Sequence, residues 1–140
     1  MNLEDLKAEL ERDEGRVPYA YQDSLGYWTC GVGFLIDRQK GGRIPDAVID
    51  FWLDYEIKEK ASALQAHFPW FLSLDDVRQN AIVNMAYNLG ISGISNFHRM
   101  LSALQEHDFD KAADEMAESK WAHQVGDRAT RLITMMRTGQ

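Results

Sequence analysis

The sequence predicts an α+β fold in which a long helix joins a small antiparallel β lobe to a mainly helical lobe. Three observations support this: glycine-flanked, aromatic-rich segments fill residues 17–36, a long apolar repeat follows residue 45, and helical spacing continues afterwards. We expect residues 1–140 to form a single domain. Its β-rich lobe would span about 15–45, and its helical lobe about 70–140 plus the N-terminal helix.

The first element is predicted to be a helix. Asn2 can cap its start, because an asparagine side chain accepts hydrogen bonds from the first unpaired backbone N–H groups. Apolar side chains follow the 3.6-residue repeat at Leu3, Leu6 and Leu10. Gly15 is a plausible end of this helix.

The β lobe is predicted from turn residues and strand-forming composition. Pro18 cannot continue a helix, and residues 17–21 and 26–36 are rich in β-branched and aromatic side chains. A turn at Gly41–Gly42 would close the lobe.

The rest of the chain is predicted to be helical. A long helix begins after Pro45 and ends near His67. Ser73 followed by Asp76 resembles a capping box for the next helix, which Gly90 would end. Three further helices are predicted at Ile94–Glu106, Phe109–Ser119 and Asp127–Arg137.

Composition excludes several functional classes. The formal net charge of −7 argues against nucleic acid as the main partner, because binding phosphates requires a basic surface. Cys30 is the only cysteine, so the chain cannot form an internal disulfide. No apolar run approaches the roughly 20 residues of a membrane span, and the N-terminus lacks a secretory signal pattern. We therefore expect a protein that is neither exported by its own signal nor inserted in a membrane. We also expect it to be a monomer.

Positive charge is concentrated at the C-terminal end. This basic end could contact an anion or hold an active-site carboxylate, or it could be an ordinary solvated surface. In residues 119–140 the charged side chains are Lys120, Asp127, Arg128, Arg131 and Arg137.

Two carboxyl groups near the first turn suggest hydrolytic chemistry. A helix that ends at Glu14 can project its side chain into a cleft, where partial burial would keep it protonated as a general acid. Asp23 lies in a polar turn and should stay ionised, while Thr29 on the returning strand can direct a hydroxyl toward the same space. Such a group of side chains suits glycoside hydrolysis.

Each of these residues also has a purely structural interpretation. Glu14 could be one more acid in the run from Glu9, Asp23 a turn residue that binds its own backbone, and Thr29 an ordinary strand residue.

The surrounding motifs resemble a known family. Asp-Glu-Gly, Tyr-Gln-Asp and Gly-Tyr-Trp-Thr-Cys-Gly-Val-Gly occur with eight residues between Glu14 and Asp23 and five between Asp23 and Thr29. This pattern resembles the catalytic signature of the phage-type lysozymes, or endolysins, of glycoside hydrolase family 24. The likeness continues through residues 73–90 and 119–139.

The resemblance implies a role for each matching residue. Glu14 resembles the proton donor, Asp23 the second catalytic carboxylate, and Thr29 the residue that holds the attacking water. The implied substrate-binding residues are Leu35, Tyr87, Asn88 and Arg128, of which Arg128 resembles the arginine that pairs with the donor glutamate. Leu35 and Tyr87 could equally be core residues, and Trp121 is expected to be core.

The resemblance also implies an activity. The enzyme would hydrolyse the β-1,4 bond between N-acetylmuramic acid and N-acetylglucosamine in bacterial peptidoglycan, with inversion and without a metal or organic cofactor. It would accumulate in the host cytoplasm and reach the periplasmic wall after the membrane is breached, or be carried in a virion.

Two alternatives to this activity are a lytic transglycosylase and a catalytically inactive peptidoglycan-binding module. The presence of Asp23 and Thr29 speaks against the transglycosylase, and the intact set of Glu14, Asp23 and Thr29 speaks against the inactive module. One departure from the family pattern is the short segment Asp37–Pro45, which implies a trimmed β lobe.

Overall fold

The structure is a computed structural model that describes residues 2–37 and 44–140. Within these residues, three strands form one antiparallel sheet and the rest of the regular structure is helical, which confirms the predicted α+β class. The strands are β1 (Val17–Gln22), β2 (Trp28–Gly31) and β3 (Phe34–Asp37). The helices are α1 (Leu3–Glu14), α2 (Asp46–His67), α3 (Asp76–Ser95), α4 (His98–Gln105), α5 (Phe109–Ala117), α6 (Lys120–Val125) and α7 (Asp127–Thr138), with a 3₁₀ helix at Pro69–Ser73.

Internal contacts divide the chain into a first unit, residues 1–50, and a second unit, residues 51–140. The contacts group α1 with the sheet. The assignment of the N-terminal helix to the helical lobe stays a prediction. The single domain over residues 1–140 stays a prediction. Within the described ranges, no helix is both long enough and apolar enough to cross a bilayer.

The first unit follows the local signals of its sequence closely. The Asn2 side chain accepts hydrogen bonds from the backbone N–H groups of Glu4 and Asp5, and α1 ends at Gly15, which has a φ of +78°. The predicted strand segment 26–36 is two strands separated by a turn at residues 32–33. The predicted Gly41–Gly42 turn lies outside the described residues.

The second unit contains the hydrophobic core. The buried apolar side chains of the described chain all lie between Leu64 and Met136. Helix α5 packs against α4 and α7, and α7 also packs against α3. Trp121 is only 4% exposed, which confirms its assignment to the core.

The starts of α3 and α4 and the end of α3 differ from the predictions, and α4 begins at His98 rather than at Ile94. The N-cap of α3 is Asp75 rather than Ser73, because the Asp75 carboxylate accepts a hydrogen bond from the Arg78 backbone N–H at 3.0 Å. The Ser73 hydroxyl instead donates to the Trp70 carbonyl at 2.6 Å. Gly90, with a φ of +72°, interrupts α3 as expected, but the chain becomes helical again up to Ser95.

Helix α6 was not predicted, although residues at both ends mark it. The Ser119 hydroxyl accepts a hydrogen bond from the Ala122 backbone N–H at 3.1 Å and begins the helix. Gly126, with a φ of +55°, separates α6 from α7.

Candidate active site

Glu14 is the last residue of α1, and its side chain lies against the turn between β2 and β3. A Cβ atom placed on Gly33 would lie only 2.8 Å from Glu14 Oε2. Gly33 also has a φ of +66°, a backbone conformation that residues other than glycine rarely adopt. The absence of a side chain at Gly33 therefore makes room for the Glu14 carboxyl group. Glu14 itself is exposed, rather than partly buried as the sequence suggested.

Asp23 is fixed by the turn between β1 and β2. Its Oδ1 atom accepts hydrogen bonds from the backbone N–H groups of Leu25 and Tyr27, both at 2.9 Å. Its own backbone N–H donates to the Tyr27 carbonyl at 2.8 Å. The alternative interpretation, in which the Asp23 side chain binds the backbone of its own turn, is therefore confirmed. It occupies Oδ1, so Oδ2 remains available for another donor.

Thr29 occupies the central strand of the sheet. It is directly opposite Tyr21 on β1 and Leu35 on β3, so these three side chains share one face. Thr29 is 3% exposed, and its Oγ1 atom donates to the Tyr27 carbonyl at 3.1 Å. Since its proton is used in this bond, the hydroxyl oxygen can accept a hydrogen bond from a water.

Leu35 is a surface residue of this sheet. It is 37% exposed, so the alternative that it belongs to the core is wrong. Because it is opposite Thr29, it lies on the sheet face that carries the candidate water-binding hydroxyl.

In the second unit, Tyr87 and Arg128 line one cavity. The cavity has a volume of about 390 Å³, and its wall is formed by α2, α3 and α7. Tyr87 is 46% exposed, so it too is a surface residue rather than a core residue. The lining residues are Leu53, Ile57, Asn80, Val83, Asn84, Tyr87 and Arg128.

The guanidinium group of Arg128 is held by Asn84. Arg128 Nε donates to Asn84 Oδ1 at 2.9 Å, and a terminal nitrogen donates to the Asn84 carbonyl at 3.0 Å. These two bonds fix the direction of the positive charge in the cavity wall. The pairing of Arg128 with Glu14 would join the two units and stays a prediction.

Lys60 of α2 adds a second positive charge near Tyr87. The pKa of Lys60 is raised, chiefly by its hydrogen bond to Glu56, with a smaller contribution from Tyr87. The reciprocal hydrogen bond lowers the pKa of Glu56.

Asn88 is exposed and contacts the buried Trp121. Trp121 Nε1 donates to Asn88 Oδ1 at 2.8 Å. The contact links the predicted sugar-binding amide to the core of the second unit.

The basic C-terminal end is partly neutralised within its own unit. Arg137 forms ion pairs with Asp110 and Asp114 on α5, at 3.2 and 2.6 Å. These partners raise the pKa of Arg137, with the Asp114 hydrogen bond contributing most. Arg137 is therefore occupied by carboxylates of this unit, whereas Arg128 contacts a neutral amide.

Sequence reasoning missed three contributors to these sites. Gly33 accommodates Glu14, Tyr21 shares the face of Thr29, and Asn84 orients Arg128. The Gly-Val-Gly turn was a signal for the first. Asn84 could not have been found by spacing, because it lies 44 positions from the arginine it binds.

Carboxyl groups at a helix end and in a neighbouring hairpin are the groups of a glycoside hydrolase, and comparison with known proteins supports this class. The sequence profile described as phage lysozyme matches residues 11–137, which include Glu14, Asp23, Thr29 and Arg128. The chain belongs to the phage lysozyme family. It is a lysozyme-type peptidoglycan hydrolase.

Three relatives of this chain are distant from it in sequence. The chain is 29% identical to "Probable T4-type lysozyme 1" and 26% identical to "Probable T4-type lysozyme 2", both from Dictyostelium discoideum. Each comparison covers 96% of this chain and 94% of the relative. The chain is also 27% identical to "Pre-baseplate central spike protein Gp5" of Enterobacteria phage T4, over 93% of this chain and 27% of that protein.

The alignments are longer than the chain. The comparison with the first Dictyostelium protein extends over 160 positions, so that relative has residues that this 140-residue chain lacks. A shortened segment at Asp37–Pro45 would account for some of them. Residues 38–43 of this segment lie outside the described residues, and the shortening stays a prediction.

Proposed function

We propose that this enzyme is an endolysin that hydrolyses the β-1,4 bond between N-acetylmuramic acid and N-acetylglucosamine with inversion at the anomeric carbon. The main support is the pair of residues Asp23 and Thr29 on one hairpin, within a sequence that matches the family across both units. Inversion requires a water and a base on the face of the sugar opposite the acid.

In this mechanism Glu14 is the general acid. It donates its proton to the glycosidic oxygen as the bond between that oxygen and the anomeric carbon breaks. Asp23 accepts a proton from the water that attacks the anomeric carbon. The products are a reducing end with a new C1 hydroxyl on N-acetylmuramic acid and a new 4-hydroxyl on N-acetylglucosamine, which keeps the glycosidic oxygen and the proton from Glu14. Thr29 Oγ1 accepts the second hydrogen of this water, because its own hydrogen is donated to Tyr27.

The remaining predicted residues would bind the glycan. Leu35 and Tyr87 present apolar surface to sugar rings, and Asn88 presents an amide. Arg128 would stabilise the Glu14 carboxylate that forms when the proton has left. Asn84 supports this role because it fixes the guanidinium with two hydrogen bonds.

Product analysis tests the reaction directly. Purified peptidoglycan would be digested, and the soluble fragments identified by mass spectrometry. Hydrolysis gives reducing N-acetylmuramic acid ends, and NMR during the first minutes should detect the inverted α anomer. Anhydro ends would instead identify a transglycosylase, and binding without soluble fragments an inactive module.

We also propose that the enzyme accumulates in the host cytoplasm and acts on the periplasmic wall after the membrane is breached. Purified enzyme should then clear permeabilised cells and leave intact cells turbid. The likeness to part of a baseplate spike protein makes carriage in a virion the alternative route. Detection of the protein in purified virions would favour that route.

A further inference from the structure

The contact between Asn88 and Trp121 determines which end of the amide faces the solvent. The indole Nε1–H can only donate, so the group opposite it must be an acceptor. The Asn88 oxygen lies 2.8 Å from Nε1, and the amide nitrogen is therefore directed away from the indole. The reverse orientation would set one N–H group against another and leave a buried donor without an acceptor.

Trp121 cannot easily move to release this constraint. Its side chain is 4% exposed, and its ring meets Phe97 edge to face with centroids 6.3 Å apart. Ser119 caps the start of α6, the helix that carries the tryptophan, because its hydroxyl accepts from the Ala122 backbone N–H and donates to the Met116 carbonyl. The buried indole N–H of Trp121 thus holds the Asn88 side-chain oxygen toward the core.

The other end of the amide is exposed. Within residues 51–140, Asn88 donates no hydrogen bond, so both hydrogens of its NH₂ group are available to a ligand. A ligand that approaches this NH₂ group meets two hydrogen-bond donors. Groups that could pair with them are carbonyl or hydroxyl oxygens, whereas an ammonium group could not.

We propose that Trp121 is a positioning residue that holds Asn88 as a hydrogen-bond donor and thereby selects glycans that carry acceptors, above all the carbonyl oxygen of an N-acetyl group. This inference rests on the proposed glycan-binding function of Asn88. It adds a specificity determinant that lies in the core and does not touch the sugar itself.

Binding measurements in a Glu14→Gln background test the proposal without turnover. The dissociation constant of a soluble N-acetylated peptidoglycan glycan, and of the same glycan after de-N-acetylation, would be measured by NMR titration. The variants are Asn88→Ala, Asn88→Asp, Trp121→Phe and the double variant Trp121→Phe with Asn88→Ala. Trp70→Phe is the matched control, because it makes the same chemical change at a tryptophan in contact with Phe68 instead.

The expected pattern follows from the polarity of the amide. Asn88→Ala should weaken binding of the N-acetylated glycan about three- to tenfold and reduce the preference over the de-N-acetylated form. Asn88→Asp should be at least as harmful, since it keeps an acceptor for Trp121 but loses the outward donor. Trp121→Phe should weaken binding about two- to fivefold in the parent and have no further effect when residue 88 is alanine.

A spectroscopic measurement separates positioning from general damage. The Trp121 indole N–H resonance should shift in Asn88→Ala and stay near its parent position in Asn88→Asp, which retains the acceptor. Trp70→Phe should leave all dissociation constants unchanged. If Trp121→Phe does not fold, the comparison of Asn88→Ala with Asn88→Asp still decides the polarity of the contact.

Two results would overturn the inference: an additive effect of the two substitutions, or Asn88→Asp binding the N-acetylated glycan as well as the parent does. Failure of the proposed hydrolysis is distinguishable from both. A parent enzyme that releases no fragments, yet gives the expected binding pattern, would refute the reaction and leave the positioning role standing.

Discussion

The two units of this chain are stabilised in different ways. The second unit surrounds a core of fully buried methionine, leucine, isoleucine and alanine side chains between Leu64 and Met136. Among the described residues of the first unit, the buried side chain is that of Thr29, a polar residue. The conformation of the first unit depends on hydrogen bonds in turns, such as those that Asp23 accepts from the backbone.

Because of this difference, we expect substitutions in the two units to have different effects. In the first unit, the groups that define the fold are also the proposed catalytic groups, so substitutions there should affect turnover first. In the second unit, apolar burial supplies the stability, at roughly 25 cal/mol per Å² of apolar surface. Substitutions in its core contacts should affect folding first and leave the chemistry of the folded molecules unchanged.

The largest effect is expected for Glu14→Gln. Loss of the acidic proton should lower the rate of fragment release by at least about 100-fold, because general acid catalysis contributes that much or more. Glu14 is exposed, so the thermal unfolding midpoint should stay nearly unchanged. Asp13→Asn is the control on the same helix. Activity retained in Glu14→Gln would remove Glu14 from the mechanism.

Arg78→Ala should instead lower the stability of the second unit. Arg78 donates to the carbonyls of Met136 and Arg137, pairs with Asp75, and stacks on Phe109 at 3.7 Å. Its loss removes the side-chain donors of two carbonyls and of Asp75 Oδ2, which should cost about 2–3 kcal/mol of unfolding free energy in a denaturant titration.

The control for this prediction is Arg99→Ala. Arg99 is 81% exposed and 4.0 Å from Glu115, so its removal should cost less than about 0.5 kcal/mol. Rates corrected for the folded fraction should match the parent in both variants. Equal destabilisation by the two changes would show that Arg78 is not an anchor of α7.

Asp23→Asn and Thr29→Ala should each reduce turnover more than tenfold, a loss of about 1.4 kcal/mol or more of transition-state stabilisation. The amide introduced by Asp23→Asn retains an oxygen for the backbone N–H groups of Leu25 and Tyr27, so the hairpin should persist. Thr29→Ser keeps the hydroxyl and should lose much less. The water-positioning scheme fails if both variants remain within about twofold of the parent.

Gly33→Ala tests the first unit in a different way, because it displaces Glu14 without changing Glu14 itself. The new Cβ would lie 2.8 Å from Glu14 Oε2 and displace the carboxyl group, so activity should fall about tenfold. Gly126→Ala also introduces backbone strain, at a φ of +55° and a ψ of −120°, but nothing lies within 4 Å of its Cβ position. Both should lose about 1 kcal/mol of stability, while only Gly33→Ala loses activity.

The smallest effect concerns pH. Burial opposes ionisation of Asp75, but hydrogen bonds from the Arg78 side chain and backbone and its charge outweigh this, and the pKa of Asp75 lies below its usual value of 3.8. A lowered folded-state pKa stabilises the protein above pH 3.8, and this contribution is lost as the pH falls through the folded pKa. The melting temperature of Asp75→Asn should therefore approach that of the parent in acid. A constant difference from about pH 6 to about pH 3 would contradict this.

Most of the first unit's local structure could be predicted from its sequence. The Asn2 cap, the helix end at Gly15 and the Asp23 turn each depend on atoms within four residues of one another. In the second unit, the order of helices was predictable, but α6 and the cap at Asp75 were not. Ser73 and Asp75 are both good caps, and propensity does not choose between them.

Local hydrogen-bonding rules therefore determined the Asp23 turn and the start and end of α1. The spacing of residues along the chain determined which of them match the family motif. Only the tertiary structure decided that Trp121 faces Asn88, 33 positions away, and that Arg128 faces Asn84, 44 positions away. The reason is that a cap or turn is satisfied by neighbouring residues in the chain. A contact between distant residues depends instead on how whole helices pack, and many sequences of the same pattern could pack differently.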